Sequence, residues 1–383
     1  MQPIKAPKAW HPAPRMVLVN ATAEFSPDYS TARHRFREAA GRLGWKLEAH
    51  PIDATGPNAE QLTIDVALSP GNGSEQALVV SSGVHGVEGF FGSAIQLGLL
   101  EQWSIQPGSL PVIRCLFLHG LDPFGFAWLR RFDEKNVDLN RNFLLEGEKY
   151  AGSPAEYAGL DSLLNPKRPP STWEPFALKA LFAIARHGMP ALKQAVAAGQ
   201  YEFSKGLFYG GPGPSRANQL LGEKLGRWLE GCRDVVHLDF HTGLGPWASC
   251  KLLLDYTPTD GQRARLVNWF GPGSFEANDS RGVAYRTRGG FGQWCVARSG
   301  VQQYLFACAE FGTYGPIHVV GSLRAENQAH HWGKAEDRST QQAKQRLSES
   351  FCPGSPVWRQ RALKRGFELV EQALKGMMTQ VSA

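Results

Sequence analysis

His85 and Glu88 stand three positions apart in the run Ser81-Ser82-Gly83-Val84-His85-Gly86-Val87-Glu88-Gly89. An imidazole and a carboxylate placed together suit a zinc ion. The run begins where an apolar stretch, Gln76-Ala77-Leu78-Val79-Val80, ends and a helical pattern starts. An open α/β sheet holds its ligands at such junctions, outside the carboxyl ends of its strands. Three later strings repeat the arrangement. Asn136-Val137-Asp138-Leu139-Asn140-Arg141-Asn142-Phe143 follows the apolar stretch Val112 to Leu118. Val235 to Gly243 delivers His241 to a strand end just ahead of a loop glycine. Tyr304 to Thr313 carries Glu310 among Phe306, Ala307, Ala309 and Phe311. Such neighbours disfavour a charged carboxylate and raise its pKa. Four polar groups, each just past an apolar run, can converge on one rim of one sheet. Taken singly, each has a plainer reading: a polar loop for His85 and Glu88, a salt-bridged structural carboxylate for Glu310, a surface arginine for Arg141.

Taken in order, His-x-x-Glu, Asp-x-Asn-Arg, a lone His and a late Glu resemble the zinc carboxypeptidase superfamily, the fold of carboxypeptidase A and aspartoacylase. The resemblance runs from about Gln76 to Gly315, and Val-Asp-Leu-Asn-Arg-Asn-Phe is its most specific string. It looks closest to a little-characterised branch without an assigned substrate. It implies one zinc ion per chain, held by His85, Glu88 and His241, with a fourth position open, as catalytic sites keep it. It implies Glu310 as the proton carrier, Asp138 as the carboxylate behind His85, and Asn140 and Arg141 as the grip on a substrate carboxylate. An arginine that polarises the scissile carbonyl is implied at Arg130 or Arg131, with Arg131 preferred. Tyr285 matches the substrate-contacting tyrosine by approximate spacing only; a core or surface tyrosine fits it as well. The implied function is a zinc-dependent hydrolase that cleaves an amide next to a carboxylate-bearing group. A metallocarboxypeptidase comes first and an aspartoacylase-like N-acyl amino acid amidohydrolase second. An inactive metal-binding or interaction protein is the third reading. The implied partner is a small peptide or an N-acyl amino acid.

The elements that must position these residues read as one α/β domain. We expect a central mixed, largely parallel sheet, helices on both faces, and a helical insertion. The stretch from Gln76 to Leu118 reads strand, loop, helix, strand, a βαβ unit with a right-handed crossover. Further strands are expected over Lys46 to His50, Leu62 to Leu68 and Lys251 to Tyr256. Helices are expected over Tyr29 to Leu43, Arg216 to Leu229, Pro316 to His330, Glu336 to Glu349 and Pro356 to Lys375. Residues 1–24 form a proline-rich N-terminal segment, and residues 25–383 the catalytic domain. Within it, residues 144–211 separate the two halves of the metal site and read as an insertion: a lid or specificity element, or a unit packed on the core. Residues 271–292 are glycine-rich and expected as a loop at the site mouth.

Composition sets bounds on partners. Of the 383 residues, 42% are hydrophobic and 20% charged, as in ordinary globular chains. No apolar run reaches the eighteen residues of a membrane span. The opening residues lack the apolar core of a secretory signal, so a cytoplasmic location is expected. The net charge of +6 comes from dispersed Lys and Arg, with no nucleic-acid motif. A basic rim that draws anionic substrates accounts for it, and no nucleic-acid or membrane partner is expected. The six cysteines include no Cys-x-x-Cys pair, which leaves neither a thiolate zinc site nor a redox dithiol indicated. The oligomeric state and any second metal leave no sequence signal.

Overall fold

A computed structural model describes residues 22–379, apart from residues 72, 107, 109, 172–173, 189–197 and 278–287. Eight strands form one sheet: β1 (Lys46–Thr55), β2 (Gln61–Leu68), β3 (Gln76–Ser82), β4 (Arg114–His119), β5 (Asp234–Gly243), β6 (Cys250–Leu254), β7 (Phe275–Ala277) and β8 (Gln303–Gly312). Their order is β1-β2-β4-β3-β5-β8-β6-β7. The central strands β4, β3, β5 and β8 run parallel. Antiparallel pairs flank them, β1–β2 and β2–β4 on one side and β6–β8 on the other. This is the mixed α/β sheet expected from the sequence. β3, β5 and β8 are buried almost throughout; β3 and β8 read as near-continuous apolar runs, whereas β5 alternates His237, Asp239 and His241 with Val236, Leu238 and Phe240.

Helices cover both faces. Ser82 and Phe240 point to the face covered by helices Gly89–Ile105 and Pro356–Thr379. A Cβ on Gly92 would lie 2.6 Å from the Ser82 Cβ, and one on Gly366 would lie 2.3 Å from Ile95. Glycine at these positions lets the first helix approach the sheet and the two helices approach each other this closely. Ser81, His237, Asp239 and His241 alternate with those residues and face the other way, toward helix Phe291–Arg298. There the His237 and Phe291 rings meet at 5.5 Å.

The loop after β3 is shaped by two glycines. Gly83 takes φ +70°, a left-handed turn. At Gly86, a Cβ would fall 2.2 Å from the Gly125 carbonyl carbon. Gly86 and Val87 also receive the following loop through their N–H groups, which donate to the Arg131 and Arg130 carbonyls at 3.2 and 2.7 Å. The His-x-x-Glu segment is thereby clamped to the segment bearing the two arginines.

Two local expectations change. β1 runs on to Thr55, through Pro51, because it is an edge strand on which proline is tolerated. Phe275–Ala277 forms a short strand on β6 where a loop was expected. Between residues 144 and 211, the described helix Ala155–Leu164 is packed into a second apolar cluster. Tyr157, Leu160 and Leu164 meet Leu207, Val319, Leu323 and Phe351 there. Residues 1–21 of the proline-rich segment lie outside the described residues.

Candidate metal and catalytic site

The parallel strands β3, β5 and β8 bring their carboxyl ends to one edge. His85 and Glu88 follow β3, on the loop and a short 3-10 turn Gly86–Glu88. His241 lies near the end of β5, directly paired in register with Glu310 on β8. All four side chains are buried.

Glu88 is the hub. One of its oxygens, Oε1, lies 2.9 Å from His85 Nδ1. The other, Oε2, lies 3.1 Å from His241 Nδ1 and accepts the Thr242 N–H at 2.9 Å. Burial pushes its pKa up, but the two histidines outweigh it and hold Glu88 well below the usual carboxylate range. Each histidine turns its other nitrogen to a carboxylate: His85 Nε2 to Asp138 at 3.1 Å, His241 Nε2 to Asp239 at 2.5 Å. Ligand atoms of His85, Glu88 and His241 lie within 4.8 Å of one another. Two imidazoles aimed by carboxylates and one carboxylate, all buried, fit a zinc ion well. Cys308 also approaches, forming a second group of the same tightness with His241 and Glu310.

Glu310 differs from Glu88. Its Oε1 accepts one backbone N–H, from Leu244 at 2.8 Å. Burial, and then the charge of Glu88, push its pKa up to about 7. The rise matches the apolar surroundings seen in the sequence.

The two candidate arginines diverge. Arg130 is wholly buried away from the edge, on Glu326 at 2.9 Å and Asn136 at 3.0 Å. Arg131 reaches Asp138 Oδ2 and Glu88 Oε1, each at 3.1 Å, and lies 2.7 Å from His85 Nε2. Its guanidinium also passes over the Phe208 ring at 5.8 Å. Geometry thus places Arg131 at the cluster and gives Arg130 a structural ion pair.

Asp138 is buried. Burial opposes its charge, but Arg131 and His85 hold its pKa well below the usual range. Its Oδ1 also accepts the Asn140 N–H, capping the short turn Leu139–Arg141. Asn140 uses its amide oxygen to accept the Phe291 N–H at 3.0 Å, which leaves its amino group as a donor. Arg141 is buried, and burial lowers its pKa. Among the described residues it forms no ion pair, its Nη1 donates to the Asn140 carbonyl, and its Nε has no partner. Gly199, Tyr201 and Gly210 close around it. Tyr285 lies outside the described residues.

Sequence reading missed Asp239, the partner of His241. The signal was available: Asp239 and His241 are two apart on a strand, so they share a face.

The fold and this edge define an α/β protein with a buried His-Glu-His cluster able to hold a metal ion. The chain belongs to the family described as protein of unknown function, DUF2817, whose model matches residues 25–365. No curated protein matches it. Several solved structures are similar. One is bovine thrombin-activatable fibrinolysis inhibitor, in complex with tick carboxypeptidase inhibitor. It has 11% identity and a TM-score of 0.43, and the match covers 91% of this chain and 98% of that one. Another is carboxypeptidase A from Helicoverpa armigera. It has 11% identity and a TM-score of 0.48, and the match covers 86% of this chain and 76% of that one.

Proposed function

We propose that the protein is a zinc-dependent hydrolase that cleaves an amide beside a carboxylate-bearing group, acting as a carboxypeptidase. The observation that carries this is the pairing of the His85–Glu88–His241 cluster with Glu310 on the neighbouring strand. Zinc at that cluster would supply a Lewis acid that brings the pKa of water toward neutrality.

The chain's own groups would do the rest. Glu310, poised near neutrality, takes a proton from the attacking water and hands it to the leaving nitrogen. With Nδ1 of His85 committed to a cation, its Nε2 carries the proton and faces Asp138. Arg131 Nη2, 2.7 Å away, then finds no acceptor there and would turn its hydrogens outward, suited to a scissile carbonyl oxygen as negative charge develops. Arg141 has a buried guanidinium without an ion pair among the described residues, and the neighbouring Asn140 keeps its amino group as a donor. Together they suit the paired hydrogen bonds of a carboxylate.

The test uses free-acid peptides, the same peptides as C-terminal amides, and single N-acylated amino acids, on zinc-loaded wild type and Arg141→Ala. A carboxypeptidase releases the last residue of the acid peptide and ignores the amide. Arg141→Ala should lose about ten- to a hundredfold in kcat/KM. Turnover of N-acyl amino acids alone would select the deacylase reading. Equal cleavage of acid and amide forms would remove Arg141 from substrate binding. Zinc bound without turnover of any of these would favour a metal-binding protein.

A further inference from the structure

Behind His241, four residues on one face of three adjacent strands are joined head to tail. Asp239 Oδ2 receives His241 Nε2 at 2.5 Å, and Asp239 Oδ1 accepts the Ser81 hydroxyl at 2.6 Å. Ser81 Oγ lies 2.7 Å from His237 Nε2, and His237 Nδ1 lies 2.9 Å from the Tyr304 hydroxyl. Every member is buried. The line runs from the metal edge down β5, through β3, to the start of β8.

The order of its protons follows from what each group can donate. An ionised carboxylate only accepts, so Ser81 spends its single hydrogen on Asp239. Ser81 can then only accept from His237, which puts the imidazole proton on Nε2. Burial keeps His237 neutral, with its pKa pushed down to about 4. Its Nδ1 is therefore bare and accepts the Tyr304 hydroxyl. Each step has one donor and one acceptor, and no other assignment keeps all four bonds with Asp239 ionised and His237 neutral.

We infer that the Tyr304–His237–Ser81–Asp239 line is a positioning device for His241. It holds the proton of His241 on Nε2 and aims Nδ1 at the cation seat. It rests on His241 being a metal ligand, as proposed above. It gives His241 a counterpart of the Asp138 that backs His85, but one whose far end sits at the opposite edge of the sheet. A partner that fixes the tautomer and orientation of a ligating histidine is typically worth about 10–100-fold in metal affinity. Removing the Tyr304 hydroxyl frees His237 to carry its proton on Nδ1. Its Nε2 would then draw the Ser81 hydroxyl away from Asp239, so a change distant from the cation would still be felt there.

The test is zinc affinity of the full chain by competition with a chromophoric chelator, for wild type, Asp239→Asn, Ser81→Ala and Tyr304→Phe. The tautomer of His237 is read by nitrogen NMR of histidine-labelled protein, and the melting point of the metal-free chain controls for folding. Asp239→Asn should weaken zinc binding by about 10–100-fold, and Tyr304→Phe by a smaller factor of about five. A purely structural role would move the melting point and leave the affinity alone. If Asp239→Asn fails to fold, Asp239→Glu and Tyr304→Phe decide the matter. Zinc affinities within about twofold of wild type would overturn the device, as would a wild-type His237 protonated on Nδ1. Wild type that binds no zinc at all would instead remove the ligand role of His241.

Discussion

Glu88 and Glu310 are both buried carboxylates on one sheet edge, yet they hold protons in opposite ways. Glu88 meets two imidazoles and a backbone N–H and stays anionic; Glu310 meets the charge of Glu88 and one N–H, and rises to about 7. Carboxylates pushed apart in this way take different tasks, which under the proposed function would be ligand and base. Glu310→Gln should keep the fold and the zinc but lose about 10²–10⁴-fold in kcat. A base must be ionised to accept, so wild-type kcat/KM should climb with pH on an acid limb centred at or below about 7. A bound cation favours the ionised form and moves that limb lower, and Glu310→Gln should lose it. A variant that keeps a third of the wild-type rate would remove Glu310 from proton transfer. At this scale the sequence was legible where chemistry came in short strings, as at His85, Glu88, His241 and Glu310. It could not separate Arg130 from Arg131. Neighbouring side chains diverge, and the partner that captures Arg130, Glu326, is 196 residues further on.

β3 and β8 were legible because burial on both faces makes them near-continuous apolar runs of strand length, and β5 because Val235, Val236, Leu238 and Phe240 keep a strand pattern between its polar residues. β7 was not, since its three residues owe their conformation to pairing with β6 rather than to their own pattern. Pro51 ended β1 too soon in the sequence reading because edge position is a property of the assembled sheet. Around His85 the glycines mark contacts the sequence could not show. Gly86→Ala would press a methyl into the Gly125 backbone, where no side chain can swing aside. We expect a loss of about 1–3 kcal/mol in urea unfolding, together with weaker zinc binding, because the loop bearing both ligands must shift. Unchanged stability and affinity would mean that the clamp between residues 86–87 and 130–131 does not hold the motif.

As a whole, the molecule ties its acid response to buried histidines. His119 on β4 stacks on Phe36 at 4.5 Å and meets Ser93 Oγ at 3.0 Å, and burial lowers its pKa to about 4. Its folded pKa is below the unfolded value of about 6.5. The stability it contributes is therefore full above about 6.5 and lost as pH falls through about 4. The advantage of wild type over His119→Gln should shrink by about 2–3 kcal/mol between pH 7 and pH 4. Denaturant titrations of both chains at several pH values would show it; a constant gap would mean that His119 titrates alike in both states. Zinc should act on the whole fold as well. At a thousandfold excess over Kd it should add about 4 kcal/mol, read as a rise in melting temperature that a chelator reverses.

The register of β3, β5 and β8 also governs when the cluster can exist. Glu88 and the Thr242 N–H that it grips are 154 residues apart in sequence. Parallel strands this remote pair late in folding, because the closure entropy of long loops must be met first. Before that, His85 and Glu88 stand together on the chain without His241, which lies far along the sequence. Capture of a metal by all three groups would thus come at the end of the folding pathway. Zinc should accordingly slow the unfolding of the finished protein while leaving the early steps of its folding rate untouched.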